Sequence, residues 1–276
     1  SLLPADDCTI SFGHVSGTAN MLGTANYADL SRQSLVKRVE LGRGFTALTP
    51  FALQSMRALR TITIPIGVTT LRNATLSQCE ALRALILPSS INTTYPSMVT
   101  SCTSLQIVSM PKSLPPNNNQ FTGCYSMYRI CFPKGTTGVG NNSMQNCYAL
   151  SEIYGLEDVA VIRGAAFQNC RCLCNDLPPL KITSIPANCF SGCYSLRRLR
   201  FAAAVTSIAA GAFFNCYSMA SYDFTSCTAV PTLANANAFT NIQADCEIRA
   251  PASLVDSWKA ATNWSTYADH IVGVET

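Results

Sequence analysis

The sequence predicts a repeat solenoid of the α/β type, in which short coils stack around one continuous core. One skeleton, apolar-x-x-Cys-x-x-Leu-x-x-apolar-x-apolar, recurs at a nearly constant interval, which is one position shorter in a single coil. Apolar residues recur at fixed distances from its leucine, and cysteines occupy one column. A fixed period of this kind is typical of stacked repeats, in which each unit buries its apolar face against its neighbours.

The leucine of the skeleton, here called the anchor, names each coil. The anchors are Val36, Leu59, Leu82, Leu105, Met127, Leu150, Leu173, Leu196 and Met219. Alternating β-branched and aromatic residues three and five positions later predict a short strand with one buried face. Proline ends several of these strands, at Pro65, Pro88, Pro111 and Pro133. Further apolar residues lie before the anchor and beyond the strand. They indicate that each coil directs apolar side chains into the core from several sides.

The Leu173 coil departs from this pattern. Asp176 and Pro178 stand where apolar strand residues belong. We therefore predict a bulge in this coil, which is either a local irregularity or a feature that shapes a binding surface.

Cysteine lies three residues before the anchor in consecutive coils, at Cys79, Cys102, Cys124, Cys147, Cys170, Cys193 and Cys216. We interpret this column as small buried side chains with a weak S–H donor, filling a tight corner of each coil. Disulfides and a metal site are the alternatives, although no CxxC pair has a second pair at zinc spacing. Cys172 and Cys174 follow closely, but Cys172 takes a position that holds Ala or Ser in other coils. The sequence does not decide whether Cys227 and Cys246 form a disulfide.

The assembled unit, as in VTSIAAGAFFNCYSMASYDF at 205–224, resembles the BspA-type leucine-rich repeat. The tail CEIRAPASLVDSWKAATNWSTYADHI at 246–271 is similar to the ending that often closes such arrays, so the resemblance covers 28–276. It implies a right-handed, curved leucine-rich-repeat solenoid with a parallel β-sheet on one face and turns, short helices or 3₁₀ segments on the other. The family is common in surface proteins of oral and gut anaerobic bacteria and of some protozoan parasites, and similar arrays occur in phage-encoded proteins. Its members are linked with adhesion, but no family motif marks a binding residue.

We expect three parts in the chain. Residues 1–27 do not follow the period and are predicted to be an N-terminal cap or irregular segment, residues 28–245 the repeat array, and residues 246–276 a C-terminal cap. In this last part, apolar residues at helical spacing predict an amphipathic helix, namely Leu254, Trp258 and Ala261. The side chains expected to pack behind that helix are Trp264, Tyr267 and Ile271.

Charge and composition argue against several functions. Charged residues make up 12% of the chain and the formal net charge is +4, which is not the dense basic stripe that nucleic-acid binding needs. The two histidines, His14 and His270, lie at opposite ends of the predicted stack, and no glycine loop could hold phosphate. No transmembrane stretch is visible. We therefore predict a non-enzyme with no cofactor, no metal, no nucleic-acid partner and no membrane insertion.

The strand positions two and four residues after the anchor should point away from the core, and we call the surface that they form the strand face. Its candidate binding residues are Arg38, Glu40, Ile86, Ile107, Arg129, Glu152, Tyr154, Arg198, Arg200 and Asp223. The same rule places Asn175 and Leu177 on this face. Solenoids commonly bind along such a surface, and a merely solvated face is the alternative.

Two local groups on the strand face differ in chemistry. Ala84, Ile86 and Ile107 predict an exposed apolar patch on adjacent coils. A basic cluster suited to acidic glycans or carboxylates consists of Arg197, Arg198 and Arg200.

A second candidate surface, the tyrosine flank, lies two residues before the anchor. It consists of Tyr125, Tyr148, Arg171, Tyr194 and Tyr217. The rings could stack as a stabilising ladder with the arginine inserted as a cation–π partner. Alternatively, they could present aromatic rings to a sugar or a protein.

The favoured function is a non-catalytic binding or adhesion module that recognises a protein or glycan on a host or neighbouring cell. This implies an extracellular or cell-surface location, for instance on a gut bacterium. The alternatives are a phage virion or tail-associated recognition or assembly component, and an accessory domain of a larger secreted protein. The identity of the partner and the oligomeric state stay open at this point.

Overall fold

The computed structural model describes residues 9–12, 21–22, 35–111, 117–174 and 177–275. In chain order the strands are β1 (Thr9–Phe12), β2 (Met21–Leu22), β3 (Arg38–Leu41), β4 (Ala47–Leu48), β5 (Thr61–Thr63), β6 (Thr70–Leu71), β7 (Ala84–Ile86), β8 (Thr93–Thr94), β9 (Ile107–Ser109), β10 (Arg129–Cys131), β11 (Gly138–Val139), β12 (Glu152–Tyr154), β13 (Val161–Ile162), β14 (Ser184–Ile185), β15 (Arg198–Arg200), β16 (Ser207–Ile208), β17 (Ser221–Asp223), β18 (Thr232–Leu233), β19 (Glu247–Pro251) and β20 (Ile271–Val274). The second ladder consists of β2, β4, β6, β8, β11, β13, β14, β16 and β18, and the remaining strands form the first.

The strands pair in parallel, and register follows the sequence period. Val39 lies opposite Ile62, and Leu199 lies opposite Tyr222, each pair separated by one repeat. In β7, β9, β10, β12 and β15 the middle side chain is buried and its neighbours are exposed or half-buried, as the period of two in a strand requires. Every anchor from Val36 to Met219 is buried, which confirms the predicted continuous core.

A third side of each coil is a corner that leads from the second ladder to the anchor. Two of its positions, eight and four residues before the anchor, have positive φ in every coil from Leu59 to Met219. Asn142 and Asn146 fill them in one coil, with φ of 52° and 63°, a region that asparagine and glycine enter most readily. Between them, Met144 N donates to Ala166 O of the next coil at 2.9 Å. The corner is therefore a hydrogen-bonded ladder in its own right.

The cysteine column fills the inside of this corner. Cys147 Sγ donates to Phe121 O of the preceding coil at 3.2 Å, and Cys193 Sγ donates to Phe167 O at 3.2 Å. Each of the predicted cysteines is no more than 1% exposed and makes such a bond, namely Cys79, Cys102, Cys124, Cys147, Cys170, Cys193 and Cys216. The prediction of buried, weakly donating thiols is confirmed.

The other cysteines are also unbonded to one another. Every cysteine in the described ranges is a free thiol, and Cys227 and Cys246 form no disulfide with each other. Cys170 points into the core, whereas Cys172 and Cys174 are exposed. The three thiols of this short segment therefore do not converge.

The predicted bulge lies in the Leu173 coil, where both ladders are interrupted. In the described part of this coil no strand pairs with β12 or β15, and β13 and β14 belong to separate sheets. Phe201 forms an isolated bridge with Leu180 instead of Pro178, which stands one repeat before it. Proline has no N–H to donate, so the pairing slips by two residues. The bulge is confirmed, although Asp176 itself lies outside the described residues.

Part of the predicted N-terminal cap continues the solenoid. Ile10 of β1 lies opposite Val39, and Met21 of β2 lies opposite Ala47. The interval from Ile10 to Val39 and the interval from Met21 to Ala47 are both longer than one repeat. The sequence period therefore does not predict this coil. These two strands therefore extend the ladders toward the N-terminus, and the division of the chain into three parts stays a prediction.

The C-terminal segment contains a shorter helix than the spacing predicts. The helix α1 spans Val255–Ala260, between 3₁₀ turns at Ala252–Leu254 and Trp264–His270. Ala261 is extended, with φ −70° and ψ 152°, and this conformation ends the helix. Ile271 is buried in the core and begins β20, which pairs with β19. A further 3₁₀ turn spans Ala236–Phe239. Among the residues that the structure describes, none of the helices has the length and apolar composition of a membrane span.

Two buried tryptophans cover this end of the core. The rings of Trp258 and Trp264 lie 5.3 Å apart, and Trp264 lies 5.5 Å from Phe239. Trp264 Nε1 donates to Pro231 O at 2.7 Å. Trp264 and Tyr267 are buried, as predicted, so aromatic side chains shield the last coil from water.

Replacing Cys147 by serine should lower the free energy of unfolding by about 1–3 kcal/mol, because a hydroxyl costs more to bury than a thiol and sits farther from Phe121 O. Cys131, exposed on β10, supplies the matched control. Cys131→Ser should stay within about 0.5 kcal/mol of the native protein. Urea unfolding measures both values, and equal costs would contradict the role assigned to the corner thiol.

Burial raises the pKa of the Cys170 and Cys193 thiols well above the ordinary value and that of Cys216 to about 12. A pKa that is higher in the folded state stabilises the protein fully below the ordinary thiol value of 9.0, and this contribution is lost as the pH rises toward 12. We therefore expect the Tm, followed by circular dichroism, to fall between these pH values. The fall should be smaller in Cys216→Ala and unchanged in Cys131→Ala, and a Tm independent of pH would refute the expectation.

Candidate functional site

The strand face begins with charges that neutralise each other. On β3, Arg38 Nη1 and Glu40 Oε1 lie 3.6 Å apart, and both side chains are about half exposed. Both residues are where the sequence predicts them. Since they already form an ion pair, they add no net charge to this end of the face.

A denser network occupies β10 and β12. Arg129 Nε donates to Glu152 Oε2 at 2.5 Å, and the Tyr154 hydroxyl donates to the same oxygen at 3.3 Å. The guanidinium lies 6.0 Å from the Tyr154 ring centroid. The hydrogen bond from Arg129 lowers the pKa of Glu152, and the carboxylate in turn raises the pKa of Arg129. The three predicted residues therefore form one self-satisfied cluster.

The predicted apolar patch is present on β7 and β9. Ala84 and Ile107 lie opposite each other in the register of the two strands. Ile86 is 73% exposed and Ile107 is 37% exposed. Isoleucines so open to water on a strand mark a candidate contact surface.

A concavity of about 450 Å³ lies over β15, β17 and β19, and we call it the basic concavity. Its lining residues are Leu177, Arg198, Arg200, Ser221, Asp223 and Arg249. Arg198 and Arg200 are predicted members of the strand face, whereas the neighbouring Arg197 does not line the concavity. Arg249 was not predicted. Ile248 lies opposite Tyr222, although the two residues are separated by more than one repeat. If the outward-facing strand positions are continued across this longer interval, Arg249 falls opposite Asp223 and is identified as a member of the strand face.

The bulge changes the direction of one predicted residue. Leu177 was expected to point outward, but it is 5% exposed and forms part of the core. The expectation is wrong because the slipped pairing at Leu180 breaks the alternation that it assumed. Leu177 therefore gives the basic concavity an apolar wall.

The carboxylates in and beside the basic concavity are already engaged. Glu247 Oε2 lies 2.7 Å from Arg249 Nη2. Asp223 Oδ1 accepts hydrogen bonds from Thr225 N at 3.1 Å and Thr225 Oγ1 at 2.7 Å. Within the described part of the chain, neither Arg198 nor Arg200 forms an ion pair. Two guanidinium groups thus remain available at this site.

The side chains of the tyrosine flank lie next to one another in a ladder, which is one of the two arrangements that the sequence allows. Tyr125 and Tyr148 stack with ring centroids 4.9 Å apart and planes 6° apart. The guanidinium of Arg171 lies 4.3 Å from the Tyr148 centroid and 5.4 Å from that of Tyr194, and Tyr194 lies 5.3 Å from Tyr217. A sugar that stacks on a tyrosine needs a free ring face. Since neighbours cover the inner faces, the geometry favours stabilisation, and binding by this flank stays a prediction.

Parallel strands that recur once per coil around a leucine-anchored core define a leucine-rich-repeat solenoid. The model for the BspA type leucine rich repeat region matches residues 30–119 and 116–246, with six copies of the repeat. The chain belongs to this family, and the resemblance stated from the sequence is confirmed.

Solved structures of bacterial repeat proteins are similar to the chain. A leucine-rich repeat protein of T. pallidum has 19% identity and a TM-score of 0.49 over 62% of this chain and 86% of its own. A leucine rich cell surface protein of Faecalibacterium prausnitzii has 17% identity and a TM-score of 0.40 over 97% of this chain and 92% of its own. The pneumococcal vaccine antigen PcpA has 13% identity and a TM-score of 0.49 over 87% of this chain and 68% of its own. No curated protein matches the chain.

Arg171→Ala should lower the free energy of unfolding by about 1 kcal/mol, because it removes the cation that joins two tyrosine rings. Arg171→Tyr should recover most of this loss by offering a ring to both neighbours. Arg163→Ala, at an exposed arginine outside the flank, is the control and should change stability by less than about 0.5 kcal/mol. Chemical unfolding measures all three variants, and a cost equal to that of the control would argue against a stabilising ladder.

Proposed function

We propose that the chain is a non-catalytic binding module that engages a macromolecular partner along the strand face. The observation that carries the proposal is the pair of candidate contact surfaces on this face. An exposed apolar patch on β7 and β9 and the basic concavity over β15, β17 and β19 occupy the same outward columns. They are roughly 20 Å apart at about 4.8 Å per coil. One protein or one glycan chain could span both.

The state of the carboxylates supports binding rather than catalysis. A general acid needs a raised pKa, whereas the hydrogen bond from Arg129 lowers the pKa of Glu152. Asp223 is held by Thr225, and His270 Nδ1 lies 3.0 Å from the backbone oxygen of Cys246. These groups are arranged as fixed polar contacts.

We place the binding event outside the cell, at the surface of a host or neighbouring cell. The family resemblance supports this location. The free thiols of the described residues suit an anaerobic setting such as the gut, because thiols exposed to an oxidising exterior tend to form disulfides. A phage virion component or an accessory domain of a larger secreted protein would use the same face.

The proposal predicts that bulky charges on the apolar patch abolish binding. In a screen of the purified protein against host proteins and glycans, Ile86→Lys/Ile107→Lys should weaken binding of the selected partner at least about tenfold, or about 1.4 kcal/mol. The matched control is Ile66→Lys/Val161→Lys, which changes two exposed apolar residues away from the strand face. That variant should bind like the native protein.

Two results would count against the proposal. One is a partner that binds the patch variant and the native protein equally well. The other is a loss of the same size in the control variant, which would point to net charge as the cause. Circular dichroism of each variant verifies that the solenoid is folded.

A further inference from the structure

We infer that the basic concavity is a carboxylate-binding subsite that takes acidic side chains of a protein partner, and that Thr225 keeps it open by holding Asp223 away from Arg200. This inference rests on the proposed function, since it names the chemistry that the strand face recognises. The ligand class is an acidic peptide segment.

The register of the three strands places charges side by side. Arg200 on β15 lies opposite Asp223 on β17, which lies opposite Arg249 on β19. Adjacent strands are about 4.8 Å apart, so an aspartate flanked by two arginines would ordinarily pair with one of them. Asp223 forms no ion pair with either in the described structure.

The competing partner of Asp223 is Thr225. Both the backbone N–H and the hydroxyl of Thr225 donate to Asp223 Oδ1, at 3.1 Å and 2.7 Å. This local turn engages one oxygen of the carboxylate, which competes with an ion pair to Arg200. Glu247 likewise forms an ion pair with Arg249. Arg198 and Arg200 are therefore the cations that an incoming anion would meet.

The shape of the basic concavity fits a carboxylate on a side chain. Ser221, small and only 7% exposed, leaves room between the arginines, and a guanidinium can bind a carboxylate with two parallel hydrogen bonds. The apolar wall supplied by Leu177 suits the methylene groups of a glutamate. The exposed patch at Ile86 and Ile107 lies on the same face and also suits a protein. A sulfated glycan would use the arginines but not these apolar surfaces.

A fluorescent hexaglutamate peptide, with hexaglutamine as its neutral control, tests the subsite directly by anisotropy at low and physiological salt. Hexaglutamate should bind the native chain, and Arg198→Gln/Arg200→Gln should weaken it at least about tenfold. Arg43→Gln/Arg163→Gln removes the same charge from arginines outside the basic concavity and should leave most of the binding. Equal loss in both double variants, or no binding to the native chain, would overturn the inference.

The role of Thr225 has a separate readout. Thr225→Val should weaken hexaglutamate binding several-fold, because Asp223 then loses the hydroxyl bond, keeps only the backbone bond and can pair with Arg200. Asp223→Asn should strengthen binding, and Thr225→Val should have no further effect in the Asp223→Asn background. Weakening of the same size in that background would show that Thr225 acts only through local structure. Asp176→Asn, which removes the acid next to Leu177 in the sequence, should leave binding unchanged, and a clear increase would make Asp176 the internal competitor in place of Asp223.

Two comparisons separate this inference from the proposed function. A sulfated oligosaccharide that binds more tightly than hexaglutamate, and is lost in Arg198→Gln/Arg200→Gln, would show that the ligand class is wrong. A partner whose binding is lost in Ile86→Lys/Ile107→Lys but kept in Arg198→Gln/Arg200→Gln would refute the subsite while the strand-face function stands. Loss in neither variant would refute the function itself.

Discussion

The hydrogen-bonded corner is the constraint on which the rest of the solenoid depends. Its backbone bonds run from coil to coil even where the strand ladders stop: Phe167 N donates to Cys189 O at 3.0 Å and Phe190 N to Ala212 O at 2.9 Å, on either side of the interrupted sheet. A buried corner must satisfy its N–H and C=O groups. Cysteine fits because its thiol is small enough for a tight turn and still donates to the preceding coil.

A continuous corner leaves the opposite side free to vary. The Leu173 coil loses its strand pairing without ending the stack, because the corner and the buried anchor still fix its position. The bulge shifts the pairing to Leu180 and brings Leu177 inward. This produces a recess beside β15 that a regular sheet, flat across its strands, would lack. The irregular coil therefore both tolerates Pro178 and creates the basic concavity.

Most charged side chains of the strand face are neutralised by a neighbouring side chain of opposite charge. At one end and in the middle, the ion pairs Arg38–Glu40 and Arg129–Glu152 close on themselves. Over β15 the acid next in register is bound by its own turn, so the arginines stay available. A mild net charge of +4 is thus compatible with the proposed local anion site, because local binding depends on unpaired groups rather than on the total charge.

The repeating elements of the solenoid can be predicted from the amino-acid sequence. The period identified the anchors, the inward position of Cys147 and the alignment of the tyrosine flank, because each depends only on a residue's place in the repeating unit. The exceptions to the repeat depend on contacts that are visible only in the folded chain. Ile10 pairs across an interval that breaks the period, Leu177 turns inward after a slipped pairing, and Asp223 bonds to Thr225 instead of an arginine. In each case local contacts determine the strand pairing, the side-chain direction or the hydrogen-bond partner, which the repeat pattern alone does not specify.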